Sequence, residues 1–237
     1  MCLGLAPSYR QFVDLSSGQA VDWTERPPGG LPPVDDLLES ARLIAGKYPD
    51  MVTVDMPVSR SPITGRRVAD NAISRAFGAR GCSTHSPSTD RPGEVGAHLT
   101  THLFERGYEL LTTSSDRRRG CVLVEVYPHP ALLVLMQRDY RVPYKVSRRN
   151  KYWKDVPPAQ RKSNLVTELV QIFDRLRGQI DGLDATWLKG LDLISFEAMK
   201  RYEDTLDALV CAWVGVKILE GAAKPYGDDE GAVWVPI

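Results

Sequence analysis

Apolar positions along this chain first come in short strand-like runs, and then in alternating helix and strand patterns. Residues 1–5, 10–15 and 20–23 are three brief apolar runs, with the turn formers Ser16, Ser17 and Gly18 between the second and third. A proline- and glycine-rich loop, 27–33, separates them from residues 35–47. There apolar residues at 37, 38, 41, 43, 44 and 45 alternate with charges at helical spacing. Residues 51–55 then read as a strand apolar enough to be buried on both faces. From 59 to 92 the chain is polar and rich in Arg, Ser, Thr, Gly and Pro, with a helical pattern only over 66–77. The spacing predicts a helix over 94–111 with a stop at Gly107, a strand over 121–126, and a helix starting at Pro130 and running through 131–136. Residues 138–162 look irregular. Ser163 caps a predicted amphipathic helix to residue 180, with the stripe Leu165, Val166, Leu169, Ile172, Phe173 and Leu176. A second helix spans 196–219, with Leu206, Leu209, Val210, Trp213 and Val216 on its buried face. A strand at 232–235 closes the chain, and no internal repeat is present. Helix and strand alternation of this kind predicts an α/β fold with a mixed central sheet and flanking helices.

At 237 residues and 43% hydrophobic, the chain is sized for one large domain with an ample core. The expected organisation is one domain over 1–237, with a loop-rich insertion around 59–120. The four cysteines form no Cys-x-x-Cys pair, and Cys121 and Cys211 sit in apolar runs as buried thiols would. That is a reduced, intracellular pattern. With no secretory leader and no run near the ~18 apolar residues of a membrane helix, it points to the cytoplasm and away from the membrane. The four histidines are read as having no spaced partner, hence no zinc signature.

Net charge is zero but uneven. Residues 138–162 carry nine basic and two acidic side chains; from 181 to the end there are five basic and eleven acidic. The basic segment interleaves Tyr140, Tyr144, Tyr152 and Trp153 with Lys145, Arg148, Arg149 and Lys151. This composition suits single-stranded nucleic acid, with cations on phosphates and rings on bases, but equally a solvated loop with aromatic anchors.

Three acids stand at element ends. Asp55 closes the 51–55 run, Glu125 lies near the end of 121–126, and Asp207 sits on the late helix with Glu203 and Asp204 close by. Ionised acids are rarely buried without a partner. Carboxylates gathered without thiols or imidazoles suit hard cations, Mg2+ or Mn2+ above all, whose usual work is phosphoryl transfer or phosphodiester hydrolysis. Glu203 and Asp207 share a helical face opposite the apolar stripe, which is either a solvated acidic face or one relieved by a cation. Arg66 and Arg67, in the loop after Asp55, suit phosphate better than a core. His129 on its own points to nothing in particular.

The ordered set Val54-Asp55-Met56-Pro57, Arg67 with Asp70, Glu125-Val126-Tyr127-Pro128, Tyr144-Lys145, residues 204–212, Asp229-Glu230-Gly231 and Val235-Pro236 resembles the DUF429 family, described as predicted nucleases with a ribonuclease H-like fold. The resemblance covers roughly residues 50–237. It implies a ribonuclease H-like sheet, with Asp55, Glu125 and Asp207 as catalytic metal ligands and Asp204 as a fourth. Proteins of this fold usually carry an aspartate on the first strand, where this chain has Ala6. The site is then either rebuilt, with Asp14 for instance, or impaired. The expected function is a metal-dependent nuclease acting on DNA or RNA, with Arg66, Arg67, Lys145, Arg148, Arg149 and Lys151 on the nucleic acid. The alternative is a non-catalytic nucleic-acid-binding protein of the same fold. A phosphotransferase would need a glycine-rich phosphate loop, and the sequence has none.

Overall fold

A computed structural model describes residues 2–5, 11–14, 19–22, 31, 33–88, 93–115, 120–184 and 194–237. Among these, six strands form one mostly parallel sheet. Its spine is β1 (Cys2–Leu5), β4 (Met51–Val54), β6 (Cys121–Val126), β8 (Ala232–Pro236) and β7 (Ala223–Gly227), in that spatial order, with β5 (Tyr108–Leu110) beside β6. β1, β4, β5, β6 and β8 run parallel where they pair; β7 is antiparallel to β8. A separate hairpin pairs β2 (Gln11–Asp14) with β3 (Gln19–Asp22). The α/β architecture therefore holds, and the 51–55 and 121–126 runs are neighbouring strands of one sheet.

The central strands read MVTV and CVLVEV because both sheet faces are covered. On one face Leu3, Leu5, Val52, Val54 and Leu123 meet α1 (Val34–Ala45) and α3 (Glu94–Glu105). Alternate residues Met51, Val122, Val124 and Val126 meet α4 (Pro128–Leu135), α6 (Pro158–Arg177) and α7 (Phe196–Leu219) on the other. α2 (Val68–Phe77) covers Val233 and Val235 at the β8 end. Each such Val or Leu, fully buried, contributes about 1.5–3 kcal/mol.

α7 positions everything that follows. Ser195 caps it by accepting from the Ala198 amide at 3.2 Å, and every residue from 203 to 215 is buried. β1 lies against its backbone. A Cβ on Gly4 would stand 2.1 Å from the Ala208 carbonyl oxygen and 2.7 Å from the Ala212 amide. Gly4→Ala should therefore lower stability by about 1–3 kcal/mol or more, as overpacking in a filled core does. A denaturation midpoint equal to that of the wild type would contradict this contact.

Several boundaries differ from the sequence expectation. α6 begins at Pro158, because a proline is tolerated in a first helical turn. Ser163 lies inside the helix, its carbonyl taken by the Thr167 hydroxyl at 3.0 Å. α4 likewise starts at Pro128 rather than Pro130. The 94–111 pattern splits at Gly107, where φ is 82°, into α3 and the short β5. Within the basic segment lies a short helix, α5 (Arg149–Tyr152). Cys211 is buried as expected, whereas Cys121 is half-buried. Ala6 lies outside the described residues, as does the Asp14 side chain.

Candidate metal centre

Ligands of parallel α/β sheets gather beyond the carboxyl ends of the strands. At that end β1 and β4 run side by side, with Leu5 opposite Val54, and the ladder continues one residue further as the Asp55 amide donates to the Leu5 carbonyl at 3.0 Å. Side-chain alternation puts Asp55 on the face of Met51 and Thr53, toward α7. The first half of α7 supplies Glu203, Asp204 and Asp207, whose carboxylate oxygens come within 4.8 Å of one another. They are 1%, 8% and 1% exposed, so this is not a solvated acidic face. The covering element is the segment 144–146. The Tyr144 hydroxyl donates to Asp207 Oδ1 at 2.5 Å, and the Val146 amide to Glu203 Oε2 at 2.6 Å.

Two lysines neutralise part of the cluster. Lys145 Nζ bonds Asp207 Oδ2 and lies 3.4 Å from Glu203 Oε1. Lys200 Nζ bonds Asp204 and lies 3.0 Å from Glu203. Burial works against the Lys145 charge, but Asp207, Glu203 and Asp55 more than offset it and hold the ammonium protonated. Asp55 has the opposite problem. Burial, then the neighbouring Asp207 charge, push its carboxyl up to about 7, with Lys145 pulling back and Glu125 and Asp204 adding smaller upward pushes. Four carboxylates against two ammonium groups leave two formal negative charges, one of which Asp55 relieves by keeping its proton near neutral pH.

Glu125 is placed differently from the other acids. Alternation puts it on the face of Leu123 and Val54, away from α7. There Arg67 holds it in a fork, Nη1 to Oε2 at 2.6 Å and Nη2 to Oε1 at 2.7 Å, and the Val58 amide adds a bond at 3.0 Å. Arg67 also donates to both Asp70 oxygens, at 3.1 and 2.9 Å, and to the Val58 carbonyl at 2.9 Å. All five guanidinium donors have acceptors inside the protein, leaving none for a phosphate. Burial pushes the Glu125 carboxyl up, and Arg67 holds it back. Glu125 thus ties the end of β6 to the loop after Asp55, while Glu203 takes the place beside Asp207. The signal for Glu203 was its i,i+4 spacing to Asp207.

Among the basic residues expected to face nucleic acid, Lys145 enters the acidic cluster. Arg149 stacks on the Phe196 ring, 4.0 Å from its centroid, and donates to the Val146 carbonyl at 2.9 Å. Arg66 donates to Asn71 and Ser74, at 2.6 Å each. Arg148 and Lys151 are exposed. His129 is buried, its Nε2 against Arg141 and its ring edge-on to Tyr144 at 5.4 Å. Burial, and then Arg141, drive its imidazole well below the ordinary range, so it is neutral. No helix among the described residues is long and apolar enough to cross a membrane.

The chain matches the family described as "Protein of unknown function (DUF429)" over residues 19–231, and it belongs to that family. No curated protein and no solved structure was found to match it.

Proposed function

We propose that this DUF429 protein is a metal-dependent phosphodiesterase acting on nucleic acid in the cytoplasm, on a ribonuclease H-like sheet. The observation that carries this reading is the buried group of Glu203, Asp204 and Asp207, within ligand distance of one another and coupled electrostatically to Asp55 at the tip of β4. The four carboxylates together with Lys145 and Lys200 carry a net −2 once Asp55 ionises, and oxygen donors with that charge fit one hard divalent ion, Mg2+ or Mn2+. Asp55, Glu203 and Asp207 would hold it, with Asp204 beside them. When bound, such an ion lowers the pKa of water and stabilises charge on the phosphate and leaving oxygens.

The chain's own groups prepare the site. Tyr144 fixes the orientation of Asp207 through its hydroxyl, and the Val146 amide does the same for Glu203. Lys145 sits largely buried between the two carboxylates, next in sequence to Tyr144, and an exposed stretch with Arg148 and Lys151 follows. That stretch would meet substrate phosphates, with affinity falling as salt rises.

The lysines also favour a second reading, a non-catalytic nucleic-acid-binding protein. Two of the four carboxylate charges are already met by Lys145 and Lys200. Incubation with single-stranded and duplex DNA and RNA in Mn2+ or Mg2+ separates the two. The first reading expects cleavage that needs the ion and is lost by at least about a hundredfold in Asp207→Asn, since even an outer-shell partner of a metal ligand costs about 10–100-fold when removed. Binding without cleavage, unchanged in that variant, would favour the second.

A further inference from the structure

His98 and His102 stand four residues apart on α3 and share one face of the helix. Their ring centroids are 4.3 Å apart and the planes are tilted by 60°. Both side chains are half-buried. One turn further on, a carboxylate oxygen of Glu105 lies 3.2 Å from His102 Nδ1. The sequence reading that these histidines have no spaced partner does not hold. His-x-x-x-His on a helix is the spacing at which two imidazoles reach one cation.

We propose that His98 and His102 form a transition-metal site, apart from the acidic cluster, for an ion that prefers imidazole: Zn2+, Cu2+ or Ni2+. Ligand chemistry separates the two sites. Imidazole nitrogens suit these ions, whereas carboxylates suit Mg2+ and Mn2+. Glu105 has the role of an outer carboxylate. Its Oε2 stands 3.2 Å from His102 Nδ1, so a proton carried on Nδ1 is favoured by that charge and Nε2 would offer its lone pair to the metal.

The helix that carries the pair is held firmly. Leu99, Thr100 and Leu103 are buried on its other side, and a Cβ on Gly96 would stand 2.4 Å from the Pro57 carbonyl oxygen. The pair is therefore built on a rigid element, and little ordering opposes binding. Ala97, Thr101 and Phe104 of the same helix line a cleft with residues 57–63. An ion on His98 and His102 would stiffen one wall of that cleft, close to the loop that follows Asp55.

The full chain is titrated with Zn2+ in excess Mg2+, which occupies carboxylates but does not compete for imidazole. One equivalent is expected to bind, with affinity falling by more than about tenfold in His98→Ala and in His102→Ala, and by less in Glu105→Gln. With one equivalent of Cu2+, electron paramagnetic resonance of the wild type should show coupling to two imidazole nitrogens. Zn2+ affinity unchanged in both histidine variants, or oxygen-only coordination of Cu2+, would overturn the site. Neither result bears on Mn2+ at the acidic cluster, so failure here and failure of the phosphodiesterase reading are distinguishable.

Discussion

Arg67→Met is expected to destabilise the protein by about 3–5 kcal/mol, the usual cost of removing one partner from a buried ion pair. The substitution strands two carboxylates. Glu125 is 4% exposed and Asp70 0%, and each receives two bonds from the guanidinium. It also leaves the Val58 carbonyl without the Arg67 donor. The loss should shrink in acid, where the stranded carboxylates can take up protons. In the wild type burial opposes the Asp70 charge, but Arg67 more than offsets it and holds the carboxyl below its ordinary range. The stability from that pairing is therefore present above the ordinary carboxylate pKa and lost as pH falls. Urea denaturation at pH 7 and pH 4 tests both parts. A loss under about 1 kcal/mol at pH 7 would mean that the pair contributes little, as exposed ion pairs do.

A second large effect should appear on the basic side of pH 4. The Asp55 carboxyl is raised from 3.8 to about 7 in the fold. Below the lower value it is protonated both folded and unfolded, so it costs nothing. Between the two values the unfolded chain ionises while the folded chain does not, and stability falls with rising pH. Above about 7 the full penalty applies, at most roughly 4 kcal/mol at 1.36 kcal/mol per pKa unit. Asp55→Asn should therefore be more stable than the wild type at pH 8 and much closer to it at pH 4. Saturating Mn2+ at pH 8 should raise wild-type stability, because the ion meets the charge that burial penalises. The difference between wild type and variant isolates this residue from the others that titrate. If it were the same at both pH values, the Asp55 carboxyl would not be in the charged, buried setting described.

What was legible in the sequence follows from what burial does to pattern. Met51–Val54 and Cys121–Val126 are apolar throughout because helices cover both sides of the sheet, and α7 runs from Phe196 to Leu219 as its spacing predicts. Asp55, Asp204 and Asp207 could be singled out because each is an acid set in an apolar context. Their company could not. Glu203 reads as part of a solvated face until Tyr144, Lys145 and Val146, some sixty positions away in sequence, fold over it. Glu125 and Arg67 are 58 residues apart, and a fork between them leaves no local trace. β7 leaves no strand pattern in the sequence because Lys224 and Pro225 are poor strand formers, tolerated here on a sheet edge. His98 and His102 are legible from sequence as a pair, because four residues is the period of the helix that carries them.

The carboxylates at the β4 tip and in the first half of α7 are proposed to bind a hard divalent cation. Calorimetric titration of His98→Ala with Mn2+, in two buffers of different ionisation enthalpy, tests this proposal most directly. One ion per chain should bind, with proton release near pH 6.5 as Asp55 gives up its proton, and almost none by pH 9. Asp207→Asn should weaken that binding sharply. Absence of saturable heat with either Mn2+ or Mg2+, or equal Mn2+ affinity in Asp207→Asn, would contradict it and leave Lys145 and Lys200 as the only cations this cluster holds.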